Sequence, residues 1–116
     1  MDAVRRAVST SQQTAIGVSA SRKWAVTSGV ITVEVSFTVD AGVVCDALVI
    51  DLEGSITGNY YFTLASHTFT SVERTAKCCM FHVVDKPIVS VRTNITKLEQ
   101  TGVGDVKVTI DLLSYD

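Results

Sequence analysis

The sequence has a single proline, few charged side chains and no long hydrophobic segment. Charged residues make up 19% of the 116 residues and hydrophobic residues 47%, a composition far from that of disordered proteins. The longest uncharged runs fall short of the ~20 apolar residues that a transmembrane helix needs. We therefore expect a soluble domain with one hydrophobic core and no membrane partner.

An excess of basic side chains is also missing, because ten Lys and Arg face twelve Asp and Glu, for a formal net charge of −2. Nucleic-acid-binding domains carry basic patches, so we expect no nucleic-acid partner. The opening segment MDAVRRAVSTSQQTA has an acidic second residue and lacks the continuous apolar region of a secretory signal. Synthesis and assembly inside a cell are expected.

Valine, threonine and isoleucine are abundant, and branched side chains of this kind favour strands, so we expect little helix. The clearest strand lies at Val30–Val39. From Ile31 onward its odd positions are apolar and its even positions polar, which is the period of a strand with one buried face.

Similar alternation predicts further strands over residues 47–53, 60–65, 67–70, 76–84, 89–95 and 106–112. Turns are predicted at 54–59, 71–75, 85–87 and 100–105, and Cys79, Phe81 and Val83 are the expected core residues of their strand. Seven to eight short strands indicate an all-β fold, an antiparallel β-sandwich. Its strand order, jelly-roll or immunoglobulin-like, stays open because alternation determines faces and not neighbours.

Residues 1–22 are polar and weakly periodic, and we interpret them as an extended N-terminal arm or a loosely attached strand, with residues 23–116 as the sandwich domain. Such an arm is expected to become ordered only on contact with a neighbouring subunit. Cationic side chains are concentrated in the first quarter of the chain, where they either dock an acidic surface or simply remain solvated. The candidate partner-contact residues are Arg5, Arg6, Arg22, Lys23, Trp24 and Tyr61.

Tyr61 belongs to a Tyr60-Tyr61 pair whose rings point to opposite faces of a strand, one into the core and one outward. An exposed tyrosine suits an interface or a sugar.

The three cysteines, Cys45, Cys78 and Cys79, fit no zinc-binding spacing. Adjacent Cys78 and Cys79 point to opposite faces of a strand, and we expect the cysteines to be small buried hydrophobic residues. His67 and His82 fall on different predicted strands without a nucleophile motif. A cysteine–histidine or serine–histidine pair would therefore depend on a tertiary contact that the sequence does not reveal.

The sequence patterns of a glycosidase carboxylate pair and of a phosphate-binding loop are also incomplete. Asp51 and Glu53 share a strand face that we expect to be solvated, which argues against a glycosidase pair. The glycines Gly102 and Gly104 lack the lysine and the strand-to-helix context of a phosphate-binding loop. We predict no catalytic, cofactor-binding or metal-binding residues and no cofactor.

Two segments carry a resemblance to a known class of proteins: DALVIDLEGSITGNYYFTLASHTFT and AKCCMFHVVDKPIVSVRTNITKLEQTGVGDVKVTI. Together they resemble small structural proteins of tailed bacteriophages. The features that carry the resemblance are a strand ending in a Glu-Gly-Ser bend, an aromatic strand after a glycine turn, an Arg-x-Asn-x-Thr strand and a terminal Val/Thr strand. The resemblance implies a non-enzymatic virion protein, a head decoration or cement protein that stabilises the assembled capsid.

The implied partners are the major capsid protein and further copies of the chain itself, as a homotrimer or another homo-oligomer. The implied location is the capsid surface, after assembly in the host cytoplasm. The alternative is a phage tail or fibre module that binds a receptor or glycan. A capsid shell protein of a small virus would call for a more basic arm, and an enzyme would need a catalytic pair assembled by folding.

Overall fold

The computed structural model describes residues 5–19, 22–27, 30–84 and 88–115, with side chains over 10–19, 30–84 and 90–113. Within these ranges the chain forms nine strands and one short helix. In chain order they are β1 (Arg5–Gln13), β2 (Gly17–Val18), β3 (Arg22–Thr27), β4 (Val30–Val39), β5 (Val44–Ser55), β6 (Phe62–Thr68), α1 (Ser71–Ala76), β7 (Cys78–Val84), β8 (Ile88–Thr101) and β9 (Val106–Tyr115).

The strands form two antiparallel sheets, which confirms the predicted sandwich. The first sheet has the order β1-β9-β4-β7, and the second has the order β2-β8-β5-β6, with β3 also paired to β8. Because β2 and β3 pair with successive stretches of β8, they share one edge position. The eight resulting strand positions have the order of a jelly roll, which selects one of the two orders that alternation left open.

The hydrophobic core lies between the two sheets. The alternation of β4 is confirmed, because Ile31, Val33, Val35 and Phe37 are all buried. The second sheet faces them with buried apolar side chains of β5 and β8, and β9 adds further ones beside β4 in the first sheet. These residues are Leu48, Ile50 and Leu52 of β5, Val91 and Ile95 of β8, and Val106, Val108, Ile110 and Leu112 of β9. Burial of each such side chain contributes about 1.5–3 kcal/mol, so this core is the main source of stability.

Residues 71–75, predicted as a turn, form helix α1 instead. The Thr70 hydroxyl accepts a hydrogen bond from the backbone N–H of Glu73, and the Glu73 carboxylate accepts one from the backbone N–H of Thr70. This reciprocal pair is a capping box, and its Thr-x-x-Glu pattern was the sequence signal for the helix. The helix connects β6, an edge of the second sheet, with β7, an edge of the first sheet.

The N-terminal segment pairs with the last strand. From Val8 to Gln13, β1 is in antiparallel register with Leu113 to Val108 of β9, and β1 is the edge strand of the first sheet. Residues 1–4 and the strand end predicted at 85–87 lie outside the described residues. The domain boundary after residue 22 stays a prediction. Across the described part of the chain, no helical segment has the length and hydropathy of a membrane span.

Candidate functional site

Five of the six candidate partner-contact residues lie on edge strands. The backbones of Arg5 and Arg6 belong to β1, and those of Arg22, Lys23 and Trp24 belong to β3. Their side chains lie outside the described residues. Their contact with a partner stays a prediction, and the structure places only their backbones, at one edge of each sheet.

Tyr61, the sixth candidate, is half-buried beneath an arginine. The Arg92 guanidinium lies 4.1 Å from the centroid of the Tyr61 ring, and the Tyr61 and Ser90 hydroxyl oxygens are 2.6 Å apart in a hydrogen bond. Arg92 Nε donates to Glu53 Oε1 at 2.7 Å, while Asn94 Nδ2 donates to Glu53 Oε2 at 3.2 Å. Tyr61 thus belongs to an internal polar network.

The prediction that Asp51 and Glu53 lie on a solvated strand face is wrong. Both residues are half-buried, and the Glu53 side chain is only 12% exposed. The reason is strand pairing: Glu53 lies opposite Arg92 across the β5–β8 ladder, and opposite charges in such cross-strand positions attract. The alternation of apolar residues in β5 does not reveal that β8 lies beside it.

Arg92→Ala is expected to lower the free energy of unfolding by about 1–3 kcal/mol, because Glu53 keeps its partly buried charge and loses its cation. Arg92→Lys is expected to restore only part of this loss, since an ammonium group lacks the planar fork that stacks on Tyr61. Urea denaturation measures both effects.

The control is Lys97→Ala, which breaks an exposed ion pair of 3.4 Å with Glu99. Exposed pairs contribute about 0–1 kcal/mol, so the effect should be small. Equal losses for Arg92→Ala and Lys97→Ala would contradict a structural role for the Tyr61 network.

The connection between β5 and β6, with the first residue of β6, exposes three large apolar side chains, which we call the apolar tip: Ile56 (75% exposed), Tyr60 (72%) and Phe62 (69%). Of the tyrosine pair, Tyr60 is therefore the exposed ring. The turn is held by two short-range hydrogen bonds, from the Gly58 N–H to Ser55 Oγ at 2.8 Å and from the Asn59 N–H to Thr57 Oγ1 at 3.1 Å. Exposed apolar side chains that follow closely along one turn are candidates for a surface that binds a partner.

A group of titratable side chains lies near the other end of β6, away from the apolar tip. His67 from β6, Glu73 from α1 and Cys79 from β7 have their potential ligand atoms within 4.8 Å of one another, and we call them the His–Glu–Cys cluster. His67 Nε2 lies 2.9 Å and 3.1 Å from the two Glu73 carboxylate oxygens. Sequence analysis missed this convergence because the three residues are brought together only by the β6–α1–β7 connection.

Two aromatic rings hold the His67 imidazole in the cluster. The Phe81 ring stacks on it at a centroid distance of 5.4 Å and an angle of 10°, and the Phe69 ring meets it edge-on at 6.0 Å and 74°. His67 and Glu73 are both 26% exposed as side chains, whereas Cys79 is buried. The cluster is thus partly open to solvent through His67 and Glu73.

The pKa of the Cys79 thiol is shifted away from that of an activated nucleophile. Burial, together with the negative charge of Glu73, raises the pKa of the Cys79 thiol to about 12. The backbone N–H of Thr70 and then the hydrogen bond to His67 lower the pKa of Glu73. Nucleophilic cysteines need the opposite shift, so Cys79 remains a protonated thiol until something else displaces its proton.

The three cysteines match the prediction of burial in part. Cys79 and Cys45 are buried, as expected for small hydrophobic residues, and burial also raises the pKa of Cys45. Cys78 is exposed, which corrects its predicted burial, although Cys78 and Cys79 do point to opposite faces. The reason is that alternate side chains of β7 point away from the core, and Cys78 lies on this outer face.

Comparison of the chain with protein-family models gives no match, and comparison with curated proteins gives none either.

Proposed function

We propose that this chain is a non-enzymatic virion structural protein, a decoration or cement protein that binds the assembled head of a tailed phage. The observation that carries the proposal is the apolar tip. It presents three large apolar side chains on a hydrogen-bonded turn at the end of a sandwich whose core is closely packed. A rigid module with an exposed apolar contact suits docking on a preformed shell, because little conformational entropy is lost on binding.

The shape and the sheet edges also support the proposal. The chain measures 47 × 31 × 19 Å along its principal axes, so it is a slab with a broad face. Strands β1 and β7 are edges of the first sheet and β6 is an edge of the second sheet. Exposed edges are usually covered, and symmetric copies of the chain, as in a trimer, would cover them.

Repetition supplies the binding strength that a small tip lacks. Copies joined in an oligomer on a regular shell bind with a raised effective concentration, so weak individual contacts become stable together. The partners in this proposal are the major capsid protein and further copies of the chain. Its location is the capsid surface, after assembly in the host cytoplasm.

The test is binding to purified particles that lack this protein. We expect the unmodified chain to sediment with particles and to add density at capsid lattice points in electron micrographs. A variant with Ile56→Ser, Tyr60→Ser and Phe62→Ser should bind at least about tenfold more weakly, since each buried apolar side chain contributes about 1.5–3 kcal/mol.

The control is Val103→Ser, which removes an apolar side chain that is 98% exposed on the β8–β9 turn. It should bind as the unmodified chain does, and equal melting temperatures would show that all variants are folded. Unchanged binding of the triple variant would contradict the apolar tip as the contact. Density at the tail would favour the alternative of a receptor- or glycan-binding tail module.

The jelly-roll order favours a second candidate, a capsid shell subunit, because this fold is frequent in viral capsid proteins. Fold analogy alone does not assign function, so the discriminating measurement is self-assembly. Light scattering of the purified chain should give a small oligomer such as a trimer if it is a decoration protein. Closed shells formed by the chain alone would support the shell subunit.

A further inference from the structure

We propose that His67, Glu73 and Cys79 form a binding site for one transition-metal ion with the preferences of Zn²⁺. The inference rests on the geometry of the His–Glu–Cys cluster and is independent of the virion role. An imidazole nitrogen, a carboxylate oxygen and a thiolate sulfur are the three donor types that zinc takes in proteins. The three donors come from three separate elements that meet at one edge of the sandwich.

The distances suit a tetrahedral ion. Zinc bond lengths of about 2.0–2.3 Å place neighbouring ligand atoms roughly 3.3–3.8 Å apart. In the cluster, His67 Nε2 and the Glu73 oxygens are 2.9 Å and 3.1 Å apart, and all ligand atoms lie within 4.8 Å. The upper limit of 4.8 Å exceeds the tetrahedral spacing by about 1–1.5 Å, a difference that changes of side-chain rotamer can close.

Surrounding contacts already orient two of the ligands. The Phe81 and Phe69 rings hold the His67 imidazole, and the backbone N–H of Thr70 donates to Glu73 Oε1 at 2.9 Å. Outer-shell contacts of this kind orient metal ligands and raise their affinity. Cys79 is positioned by its strand, because it pairs with Val35 in the β4–β7 ladder.

The donor set determines which ion fits. A thiolate ligand selects zinc and other transition metals and disfavours Mg²⁺ and Ca²⁺, which take oxygen ligands. On binding, the metal–sulfur bond replaces the S–H bond of Cys79, and the proton is released to solvent. The partly exposed side of the cluster gives the ion access and leaves a fourth position for water.

The ion would join the two sheets. His67 lies on β6 of the second sheet and Cys79 on β7 of the first sheet, so a shared ion crosslinks the open edge that α1 spans. A ligand that binds only the folded chain stabilises it by mass action. At free Zn²⁺ about a hundred times Kd, the melting temperature should rise by roughly 10 °C.

The experiment uses the untagged full chain, reduced and stripped with a chelator, then titrated with Zn²⁺ and with Co²⁺ as a spectroscopic probe. We expect one ion per chain and, with Co²⁺, the charge-transfer absorption of a thiolate ligand in the near ultraviolet. Cys79→Ser and Glu73→Gln should each weaken Zn²⁺ binding at least about tenfold, since loss of even an outer-shell partner costs 10–100-fold.

Two neighbouring residues provide matched controls. Cys78→Ser and His82→Gln change an exposed cysteine and an exposed histidine on the same strand, and both should keep the affinity of the unmodified chain. Glu73→Gln retains the helix cap, because glutamine also serves in a capping box, so it tests binding even if Cys79→Ser fails to fold. Absence of the thiolate absorption, or equal losses for Cys78→Ser and Cys79→Ser, would overturn the proposed site.

Discussion

Phe69→Ala is expected to lower the free energy of unfolding by about 3–5 kcal/mol, the usual effect of removing a buried phenylalanine ring. Phe69 is fully buried between β6 and α1, where its ring packs 5.8 Å from the ring of Phe37. Its backbone is held at both ends: its N–H donates to the Leu48 carbonyl, and its carbonyl accepts from Arg74 Nη1, both at 2.9 Å. The site therefore cannot collapse around the lost ring, and a cavity remains.

A loss of this size approaches the whole stability of many domains, which is about 5–15 kcal/mol. Urea denaturation of the metal-free protein measures it, with the same m-value expected for both proteins. The matched control is Phe62→Ala in the apolar tip, where the side chain is exposed and the change should stay within about 0.5 kcal/mol. Similar losses at positions 69 and 62 would contradict the placement of Phe69 in the core.

Gly102→Ala is expected to cost about 2–4 kcal/mol, by adding backbone strain to a steric clash. Gly102 has a φ of +99°, a conformation that side chains disfavour, and a Cβ atom there would lie 2.3 Å from the Gly42 carbonyl oxygen. The obstacle is backbone, so the turns after β4 and β8 must move apart to admit a methyl group. Thermal and urea unfolding measure the loss.

Gly58→Ala separates the two causes. Gly58 has a similar φ of +84°, but a Cβ atom there would meet nothing within 4 Å. We expect a loss of about 1 kcal/mol, from backbone strain alone. If the two substitutions are equally costly, close contact between the turns at Gly42 and Gly102 does not contribute to stability.

Local patterns in the sequence were sufficient to predict the class of the fold. The alternation in Val30–Val39 predicted which face of β4 is buried, because side chains of a strand alternate with period two whatever its neighbours are. The same reasoning placed Cys78 and Cys79 on opposite faces. It failed at residues 71–75, where the turn prediction overlooked the Thr70 and Glu73 capping box that starts α1.

Neighbours in space were decided only by the tertiary structure. The pairing of Glu53 with Arg92 buries a carboxylate that alternation alone places in water, and the same arginine covers Tyr61 and leaves Tyr60 as the exposed ring. Hydrogen bonds and ion pairs between strands depend on register, and register is not encoded in the period of a single strand.

The sequence by itself therefore determined a strand-rich sandwich and the buried face of its clearest strand, through the periodicity of apolar side chains. Only the tertiary structure decided the jelly-roll order, the apolar tip and the His–Glu–Cys cluster. The physical reason is that the cluster joins residues from edge strands of two different sheets through α1. Such contacts depend on how the sheets are stacked and connected, which no local pattern of residues specifies.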